Sequence, residues 1–557
     1  MDIRQSKTHL NEIFTKTNRM SLTEQQRTAV DEVVTACCAV TDGKPANHFV
    51  LEAVAGSGKS STLATMVQEI AERVPYASIL LLQFNQEAFA QMKRRLQNHQ
   101  HRCTVHVHTI HSFGMKLLGQ PKVDPEKMYK VWQRLTQQGE KDSDTLRTEW
   151  SRIQRLVNQV RHAGARPATM VRPLTLDNAI LEECLRDQNT VDEEDAVYHC
   201  IMYGRKTSLY YDVVLVDEAQ DLNDANHAFL RNCIVTKGSG TVLCAVGDPA
   251  QAIYQFRGAN PDSLGKMKSM FQAQSLRLTC CFRCPRRVVF VASHLYPSIC
   301  AAPSAPLGLV HLRFPDAKGT HPWSVLEDAL SPLPRDESVL FMARNNRCIL
   351  ELVSFLYLHP TSPICMQRRI RWVAPGILSQ LQTMLERPDV TLEAVKQNSE
   401  HPPVDGAVLH ILATAAELDG RELSLVDSPF LSYVRDVLRE DRTDGLVTLA
   451  TIHSSKGAEH DHVFLYQYNL IGRSGFPDDG QERNLLYIAI TRARRTLTRV
   501  YFKRGHHWFN EISAKMRNVG SPKYALTLTF LMHHRTQHVP SVFLPSDIIH
   551  GSRALTD

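Results

Sequence analysis

One stretch of the chain, HFVLEAVAGSGKSSTLATMV (residues 48–67), limits the possible folds more than any other. An apolar run typical of a buried strand leads through GSGKS into a helical pattern. Glycines in such a loop let backbone N–H groups surround a phosphate, and the start of the following helix adds its dipole. The simplest form of the loop has glycine where Ala53 stands. The strand-to-helix context still predicts a phosphate-binding loop, in a variant form.

Two side chains of this loop indicate its chemistry. Lys59 is expected to reach the β- and γ-phosphates of a nucleotide, and the Ser60 hydroxyl stands where such loops bind Mg²⁺. The sequence therefore predicts a site for a nucleoside triphosphate and Mg²⁺. The loop residues expected to contact the nucleotide are Ala55, Gly56, Ser57, Gly58, Lys59, Ser60 and Ser61.

A pair of carboxylates follows a second apolar run, in YYDVVLVDEAQDLND (210–224). Taken alone, such a strand end is more often a solvated cap than a site. With a phosphate loop upstream, Asp217 is expected to hold Mg²⁺, directly or through water. Glu218 is then expected to orient and deprotonate the attacking water.

Seven short apolar runs, separated by helical patterns, indicate the fold class. Their residues are nearly continuously apolar, as in strands buried on both faces of a mostly parallel sheet. Ligands of such α/β sheets bind beyond the carboxyl ends of the strands. The runs are HFVLEAVAG (48–56), SILLLQF (78–84), DVVLVDEAQ (212–220), GTVLCAVGD (240–248), SVLFMAR (338–344), LVTLATIHS (446–454) and HVFLYQYN (462–469).

Charge and composition say less about the binding partner and the cellular compartment of the protein. The net charge of +6, from 64 Lys and Arg against 58 Asp and Glu, fits a nucleic-acid partner without demanding one. The polar N-terminus lacks an apolar signal core, and no run of about 18 apolar residues is present. Thirteen irregularly spaced cysteines suit reduced thiols. We therefore expect an intracellular protein of cytoplasm, nucleoid or nucleus, neither secreted nor membrane-bound.

AVAGSGKSS and DEAQD resemble the corresponding motifs of the UvrD/Rep family of superfamily 1 DNA helicases. Further motifs follow in the order of that family between residues 21 and 500. The forms FRCP and NLLYIAITRA are closest to the F-box DNA helicase branch, although no F-box precedes them here. The matching stretches are SLTEQQRTAV (21–30), LLLQFNQEAFAQMKRRL (80–96), VHTIHSFG (107–114), VGDPAQAIYQFRGA (246–259), LTCCFRCP (278–285), VLFMARNN (339–346), LATIHSSKGAEHDHVF (449–464) and QERNLLYIAITRAR (481–494).

The resemblance implies two RecA-like P-loop domains with parallel sheets, each carrying a mainly helical insertion, with ATP in the cleft between them. Spacing between motifs implies that the second insertion is reduced. The expected parts are domain 1A (1–114 and 196–278), insertion 1B (115–195), domain 2A (279–361 and 446–514), reduced insertion 2B (362–445) and an unassigned tail (515–557).

Residues from both domains are implied at the ATP site. Gln251 matches the γ-phosphate sensor of the family, and Lys59 and Glu218 keep the roles given above. Arg283 and Arg492 would act as cations from the second domain that reach the γ-phosphate when the cleft closes. The residues implied at the adenine and ribose are Gln26, Phe282 and Glu459.

Aromatic residues are implied on the strand side, since bases stack on aromatic faces. Phe84, Tyr254 and Phe256 match the base-stacking positions of the family, with His111 and Arg257 beside them. The alternative for Phe84 and Phe256 is a place in the core. For Phe84 the alternative is stronger, because QFNQEAF departs from the usual TFTNKAA.

Three cysteines in LTCCFRCP pose a separate question. Cys281 and Cys284 form a CxxC pair, but no second CxxC pair is present, so the signal for zinc is weak. The sequence favours packing for these thiols, with Arg283 as the functional residue.

The leading hypothesis is an ATP-dependent DNA helicase and translocase that moves 3′→5′ on single-stranded DNA in repair, recombination or replication. Its expected partners are single-stranded DNA and junctions with duplex DNA. RNA stays possible, and protein partners are not determined. One alternative is a translocase on single-stranded DNA or RNA that remodels nucleoprotein without processive unwinding. Another is a non-motor P-loop protein that acts as a nucleotide-dependent binding switch.

Overall fold

The computed structural model describes residues 22–74, 76–97, 103–136, 143–165, 175–235, 240–313, 332–358, 370–374, 376–385, 406–419, 427–438, 447–466 and 479–500. The tail expected at 515–557 lies outside these residues. Within them, no helix has the length and apolar character needed to cross a membrane.

The strands of the described chain are short, and most carry apolar residues throughout. They are β1 (Phe49–Ala53), β2 (Ser78–Gln83), β3 (Thr104–Thr109), β4 (Lys122–Val123), β5 (Thr190–Val191), β6 (Val213–Val216), β7 (Val242–Gly247), β8 (Gln274–Leu278), β9 (Cys280–Cys281), β10 (Cys300–Ala301), β11 (Leu309–Arg313), β12 (Val339–Ala343), β13 (Ile370–Val373), β14 (Val447–Thr451), β15 (His460–Leu465) and β16 (Ala493–Val500).

Helices fill most of the connections between these strands. They are α1 (Glu24–Thr41), α2 (Lys59–Arg73), α3 (Gln86–Gln97), α4 (Ile110–Leu117), α5 (Lys127–Thr136), α6 (Ser143–His162), α7 (Leu176–Arg186), α8 (Asp195–Met202), α9 (Asp224–Phe229), α10 (Ser263–Phe271), α11 (Arg286–Ser293), α12 (Asn346–Leu358), α13 (Ile377–Leu385), α14 (Gly406–Leu418), α15 (Pro429–Leu438) and α16 (Asp479–Ile490).

Two six-stranded sheets organise the molecule, in the orders β3-β2-β6-β7-β1-β8 and β11-β16-β15-β12-β14-β13. All strand pairs in both sheets are parallel. The expected α/β class with two parallel-sheet domains is therefore confirmed. Each of the seven apolar runs singled out in the sequence overlaps one of these strands. In both sheets, β1, β6, β7, β12, β14 and β15 are interior strands, which explains their nearly continuous apolar character.

Helices cover both faces of the first sheet. Successive residues of β1 alternate between the two cores: Leu51 packs with α1 and α2, whereas Val50 packs with α4, α8 and α10. Helix α1 starts at a capping box, in which the Thr23 hydroxyl accepts from the backbone N–H of Gln26. This cap fixes the start of α1 next to the phosphate loop.

The strands at the sheet edges and the more polar strands were not predicted from the sequence. β3, β8, β11 and β13 are at sheet edges, and the interior strand β16 carries three arginines. Strand β13 falls within 362–445, the range expected for the reduced insertion, yet it pairs with β14. The boundary placed at residue 362 is therefore wrong for this strand, because its short IRWV segment gives too little apolar alternation to be recognised.

Helices α5, α6 and α7, within the range expected for insertion 1B, pack around two tryptophans. The ring centroids of Trp132 and Trp150 are 5.2 Å apart. Beneath them, the guanidinium of Arg161 lies 2.9 Å from carboxylate oxygens of both Asp192 and Asp195, and Lys127 lies 2.9 Å from Asp195. Two buried cations thus face two buried carboxylates, which anchors the helices to the chain entering α8.

Candidate active site

The phosphate loop lies between β1 and α2, as the sequence predicts. Gly56 and Gly58 adopt positive φ angles of 68° and 81°, which an L side chain rarely adopts. A Cβ on Gly56 would lie 2.7 Å from the Cβ of Arg283, so this glycine also permits close approach of the second domain. Lys59 begins α2, and its ammonium lies 3.3 Å from the carbonyl oxygen of Ala53.

Three distant segments hold the loop in place. The Gln26 amide donates to the carbonyl of Ser57 (3.0 Å), and the N–H of Phe282 donates to the carbonyl of Gly56 (2.9 Å). The N–H of Ala55 donates to the hydroxyl of Tyr487 (3.2 Å), and Tyr487 lies in α16 of the second domain. The loop is thus fixed from both sides of the cleft. The remaining loop hydroxyls lie at the start of α2: Ser60 is half-buried, and Ser61 accepts from Arg95 at 3.0 Å.

The carboxylate pair follows β6 directly. Asp217 is buried, and burial together with the neighbouring charge of Glu218 raises its pKa to about 7. Glu218 has a φ of 53°, a left-handed conformation that costs a residue with a side chain of order 1–3 kcal/mol. Burial would raise the pKa of Glu218, but Lys59 and Lys456 lower it overall. Glu218 therefore stays ionised beside the phosphate loop.

Amide side chains connect this pair with the end of β7. Gln220 donates to the Glu218 carboxylate (2.5 Å), and its amide oxygen accepts from the N–H of Asp248 (3.0 Å). Gln251 donates in turn to the carboxylate of Asp248 (2.6 Å). Burial raises the pKa of Asp248. The network fixes the expected γ-phosphate sensor relative to the expected water-activating carboxylate.

The carboxylates of Asp217, Glu218 and Asp248 lie around the single ammonium of Lys59, which acts on the pKa of all three. Burial raises the pKa values of Asp217 and Asp248, and the charge of Glu218 adds to both shifts. Hard oxygen ligands with surplus negative charge fit a divalent cation such as Mg²⁺. The position therefore suits the metal expected at Asp217 and Ser60.

Both predicted arginines lie on the second-domain side of the cleft. Arg492 is buried and its guanidinium lies 3.4 Å from the amide oxygen of Gln251. Burial and the nearby charge of Arg283 lower the pKa of Arg492 to about 10. Arg283 donates to the carbonyl of Thr491 (3.2 Å) and pairs with Glu459, the residue expected at the ribose. Phe282, expected at the adenine, is 48% exposed and so is open to a ligand.

Lys456, after β14, crosses from the second domain into the first. Its ammonium pairs with Asp221, donates to the carbonyl of Gln251 (3.0 Å) and lies 3.9 Å from Glu218. Although burial opposes its charge, Asp221 and Glu218 raise the pKa of Lys456. No role was predicted for this lysine. The sequence did contain a sign of its importance, because Lys456 lies in the matching stretch LATIHSSKGAEHDHVF. The motif alone, however, does not show which residues the lysine contacts.

The strand-side aromatics form one group with a cation over it. The rings of Phe84 and Tyr254 stack at 5.8 Å between centroids, and the guanidinium of Arg257 lies 5.6 Å from the rings of both Tyr254 and Phe256. Phe84 also packs against the core of the first domain, so it has part of the core role considered as the alternative. Phe256 is 62% exposed, which argues against a core role for it.

Two histidines lie in different places relative to this aromatic group. His453, which the prediction missed, meets Phe256 edge to face at 5.4 Å, and burial lowers its pKa to about 4. The predicted His111 lies at the start of α4. Burial would raise the pKa of Glu194, but His162, His111 and Arg161 lower it overall. His111 is therefore near Glu194, the residue that directly precedes α8.

The CxxC pair lies behind the arginine, as the packing hypothesis expects. Cys281 and Cys284 are buried, and the N–H of Cys284 donates to the Cys281 sulfur at 3.4 Å. A hydrogen bond from Cys284 lowers the pKa of the Cys281 thiol to about 7. Both side chains belong to the core that joins the phosphate loop with the second sheet.

A phosphate loop on one parallel-sheet domain, facing arginines of a second one, defines a RecA-like P-loop ATPase with two domains. Comparison with known proteins narrows this class. The family model of the UvrD/REP helicase N-terminal domain matches residues 38–272, and that of the UvrD-like helicase C-terminal domain matches residues 415–504. The chain belongs to the UvrD/Rep helicases of superfamily 1, and its enzyme class is that of an ATP-dependent DNA helicase.

Relatives with helicase names align over different lengths. A probable DNA helicase II homolog of Mycoplasma pneumoniae is 22% identical over an alignment of 606 positions, which covers 82% of this chain and 82% of the relative. DNA helicase II of Haemophilus influenzae is 25% identical over an alignment of 285 positions, which covers 45% of this chain and 38% of the relative. DNA helicase IV of Escherichia coli is 25% identical over an alignment of 278 positions, which covers 40% of each chain.

Proposed function

We propose that this protein moves 3′→5′ along single-stranded DNA and separates strands, using ATP hydrolysed between its two sheet domains. The observation that carries the proposal is the course of residues 248–258, here called the coupling loop. Its first part holds Gln251, whose amide contacts Asp248 and Arg492, and its second part carries Tyr254 and Phe256 of the aromatic group. One short loop thus links the expected γ-phosphate sensor with the expected base-stacking surface.

Phosphoryl transfer needs positioning and neutralisation of charge more than covalent chemistry. Lys59 and the backbone N–H groups around Gly56 and Gly58 would hold the phosphates, and Gln26 would read the adenine. Glu218, which stays ionised, would orient the attacking water and accept its proton. Asp217 and Ser60 would hold Mg²⁺, which supplies neutralisation of phosphate charge when bound.

The second domain would complete the site. Arg283 and Arg492 approach from across the cleft, and an arginine finger contributes about 10³–10⁵ to the rate. Support comes from the 3.4 Å separation between Arg492 and Gln251. Because these cations belong to the second domain, hydrolysis depends on how the two domains meet. Phe282 would stack on the adenine, and Glu459 would bind the ribose.

Lys456 would couple the nucleotide state of the ATP site to the aromatic residues expected to bind the DNA strand. It touches the Asp221 and Glu218 end of the cleft, and its ammonium also lies 4.9 Å from the Tyr254 ring centre. Moving this buried cation changes the electrostatics of the site and the support of an aromatic residue together. Stacking of bases on Phe84, Tyr254 and Phe256 would then strengthen and weaken as the bound nucleotide changes. His111 and Arg257 would contact the phosphates of the strand.

The 3′→5′ direction, and a role in repair, recombination or replication, rest on resemblance to the family. The test is strand separation with 3′-tailed and 5′-tailed duplexes of DNA and of RNA. We expect ATP-dependent separation of 3′-tailed DNA above all others. Separation of 5′-tailed DNA would overturn the polarity. ATP turnover stimulated by single strands without separation would favour a nucleoprotein-remodelling translocase. Turnover that does not respond to single strands would favour a binding switch.

A further inference from the structure

Two cysteines face each other where the chain passes from the first domain to the second. Residues 279–285 connect β8 of the first sheet with α11, which packs in the core of the second sheet. Within this connector, β9 pairs with β10 in parallel, and Cys280 stands directly opposite Cys300. This register places two thiols side by side on the connector between the domains.

The spacing of adjacent strands suits a disulfide. Neighbouring strands lie about 4.7–4.9 Å apart, within the Cα separation of about 4.4–6.8 Å found in disulfides. Burial and the nearby thiol of Cys300 raise the pKa of Cys280, which places the two thiols close together. Cys300 is exposed and Cys280 is partly exposed, so reagents in solution can reach them.

This pair also borders the expected adenine pocket. The N–H of Cys300 donates to the carbonyl of Thr279 (2.9 Å), and the N–H of Thr279 donates to the Gln25 side chain (2.9 Å). Gln25 belongs to α1, next to the expected adenine reader, and Phe282 follows two residues after Cys280. The neighbourhood thus links α1, the connector and the segment after α11.

We propose that Cys280 and Cys300 are an oxidation site, whose disulfide locks the connector and lowers ATP turnover. Domain closure requires the connecting residues to change their backbone angles. A covalent bond between β9 and β10 would hold the connector to the second domain and resist that change. Reduction restores the free thiols and the motion.

The oxidant is a low-molecular-weight disulfide such as oxidised glutathione. The Cys300 thiolate attacks one of its sulfurs, forming a mixed disulfide and releasing one glutathione thiolate. The Cys280 thiolate then attacks the Cys300 sulfur, forming the protein disulfide and releasing the second glutathione. Two electrons pass from the protein to the oxidant, and the two protons lost by the cysteines end on the released glutathiones.

The full chain is incubated with oxidised glutathione, remaining thiols are blocked with N-ethylmaleimide, and tryptic peptides are analysed by tandem mass spectrometry. We expect residues 278–283 linked to residues 288–313, with fragment ions placing the bond on Cys280. A link between residues 278–283 and 284–286 would instead mark Cys281–Cys284. That product, or a mixed disulfide that persists at Cys300, would overturn the pairing.

Activity is then measured on the same samples. We expect ATP turnover with single-stranded DNA to fall about tenfold on oxidation and to recover with dithiothreitol, since closure gates turnover. Cys280→Ser and Cys300→Ser should each keep full turnover after oxidation, whereas Cys103→Ser, a matched control away from the connector, should stay sensitive. A complete disulfide with unchanged turnover would overturn the regulatory effect.

The effect on activity rests on the proposed function. If single-stranded DNA does not stimulate ATP turnover in the reduced protein, that function is refuted, while the mass measurement still tests the pairing of Cys280 with Cys300.

Discussion

The ATP cleft and the strand-side aromatic group lie at the two ends of one loop, yet they differ in construction. In the cleft, Asp217 and Gln251 are 3% and 5% exposed, and the Gln251 amide contacts Asp248 of the first domain and Arg492 of the second. On the strand side, Phe256 is 62% exposed. The cleft residues are already fixed by their neighbours, while the aromatic surface stays open to solvent. This difference predicts that substitutions in the cleft have the larger effects.

The largest effect is expected from Lys59→Ala and Glu218→Gln. The first removes the cation that faces three carboxylates, and the second removes the expected base while keeping its shape. We expect ATP turnover below detection in both, with binding of labelled single-stranded DNA still measurable by anisotropy. Turnover retained by Glu218→Gln would remove Glu218 from the mechanism.

Arg283→Ala should come next. Loss of an arginine finger costs about 10³-fold in turnover. ATP binding should stay mostly intact, because the phosphate loop and Gln26 are untouched; binding of a fluorescent nucleotide measures this. The matched control is Arg277→Ala on β8, whose side chain is 72% exposed and should not affect turnover. Normal ATP turnover in Arg283→Ala would show that Arg283 is not an arginine finger.

Lys456→Met tests the connection between the two regions. Removing a buried cation leaves Asp221 and Glu218 uncompensated, so the free energy of unfolding should fall by about 3–5 kcal/mol. Stimulation of turnover by single-stranded DNA should fall about tenfold, within the usual range for coupled sites. Lys130→Met removes an exposed ion pair with Asp124 and should leave the free energy of unfolding nearly unchanged. Equal effects of the two substitutions would contradict the coupling role.

The smallest effect is expected on the open surface. Phe256→Ala should weaken binding of single-stranded DNA by about 1–3 kcal/mol, the contribution of one stacked base. Its stability should change little, because the ring is mostly exposed. Phe290→Ala is the control, since that ring is equally exposed (63%) but lies on α11 of the second domain. Unchanged affinity in Phe256→Ala would exclude Phe256 from the base-stacking surface.

The sequence by itself determined the parts of this protein that depend on local pattern. The phosphate loop, the carboxylates after β6 and the apolar interior strands follow from glycine placement and continuous apolar runs, which act within a few residues. Edge strands such as β13 were missed because half-exposed strands lack that continuity. Resemblance to a family extended the prediction to residues that local pattern does not mark, including Arg492 and Phe256.

Only the tertiary structure decided which charges meet and which rings stay open. Lys456 and Asp221 are 235 residues apart in the chain and form a buried pair in the cleft. The pKa of Asp217 near 7, the pairing of Arg283 with Glu459 and the apposition of Cys280 with Cys300 likewise depend on neighbours from other segments. Burial and Coulomb interactions act through space, over a few ångströms, so they are set only when the two sheets come together.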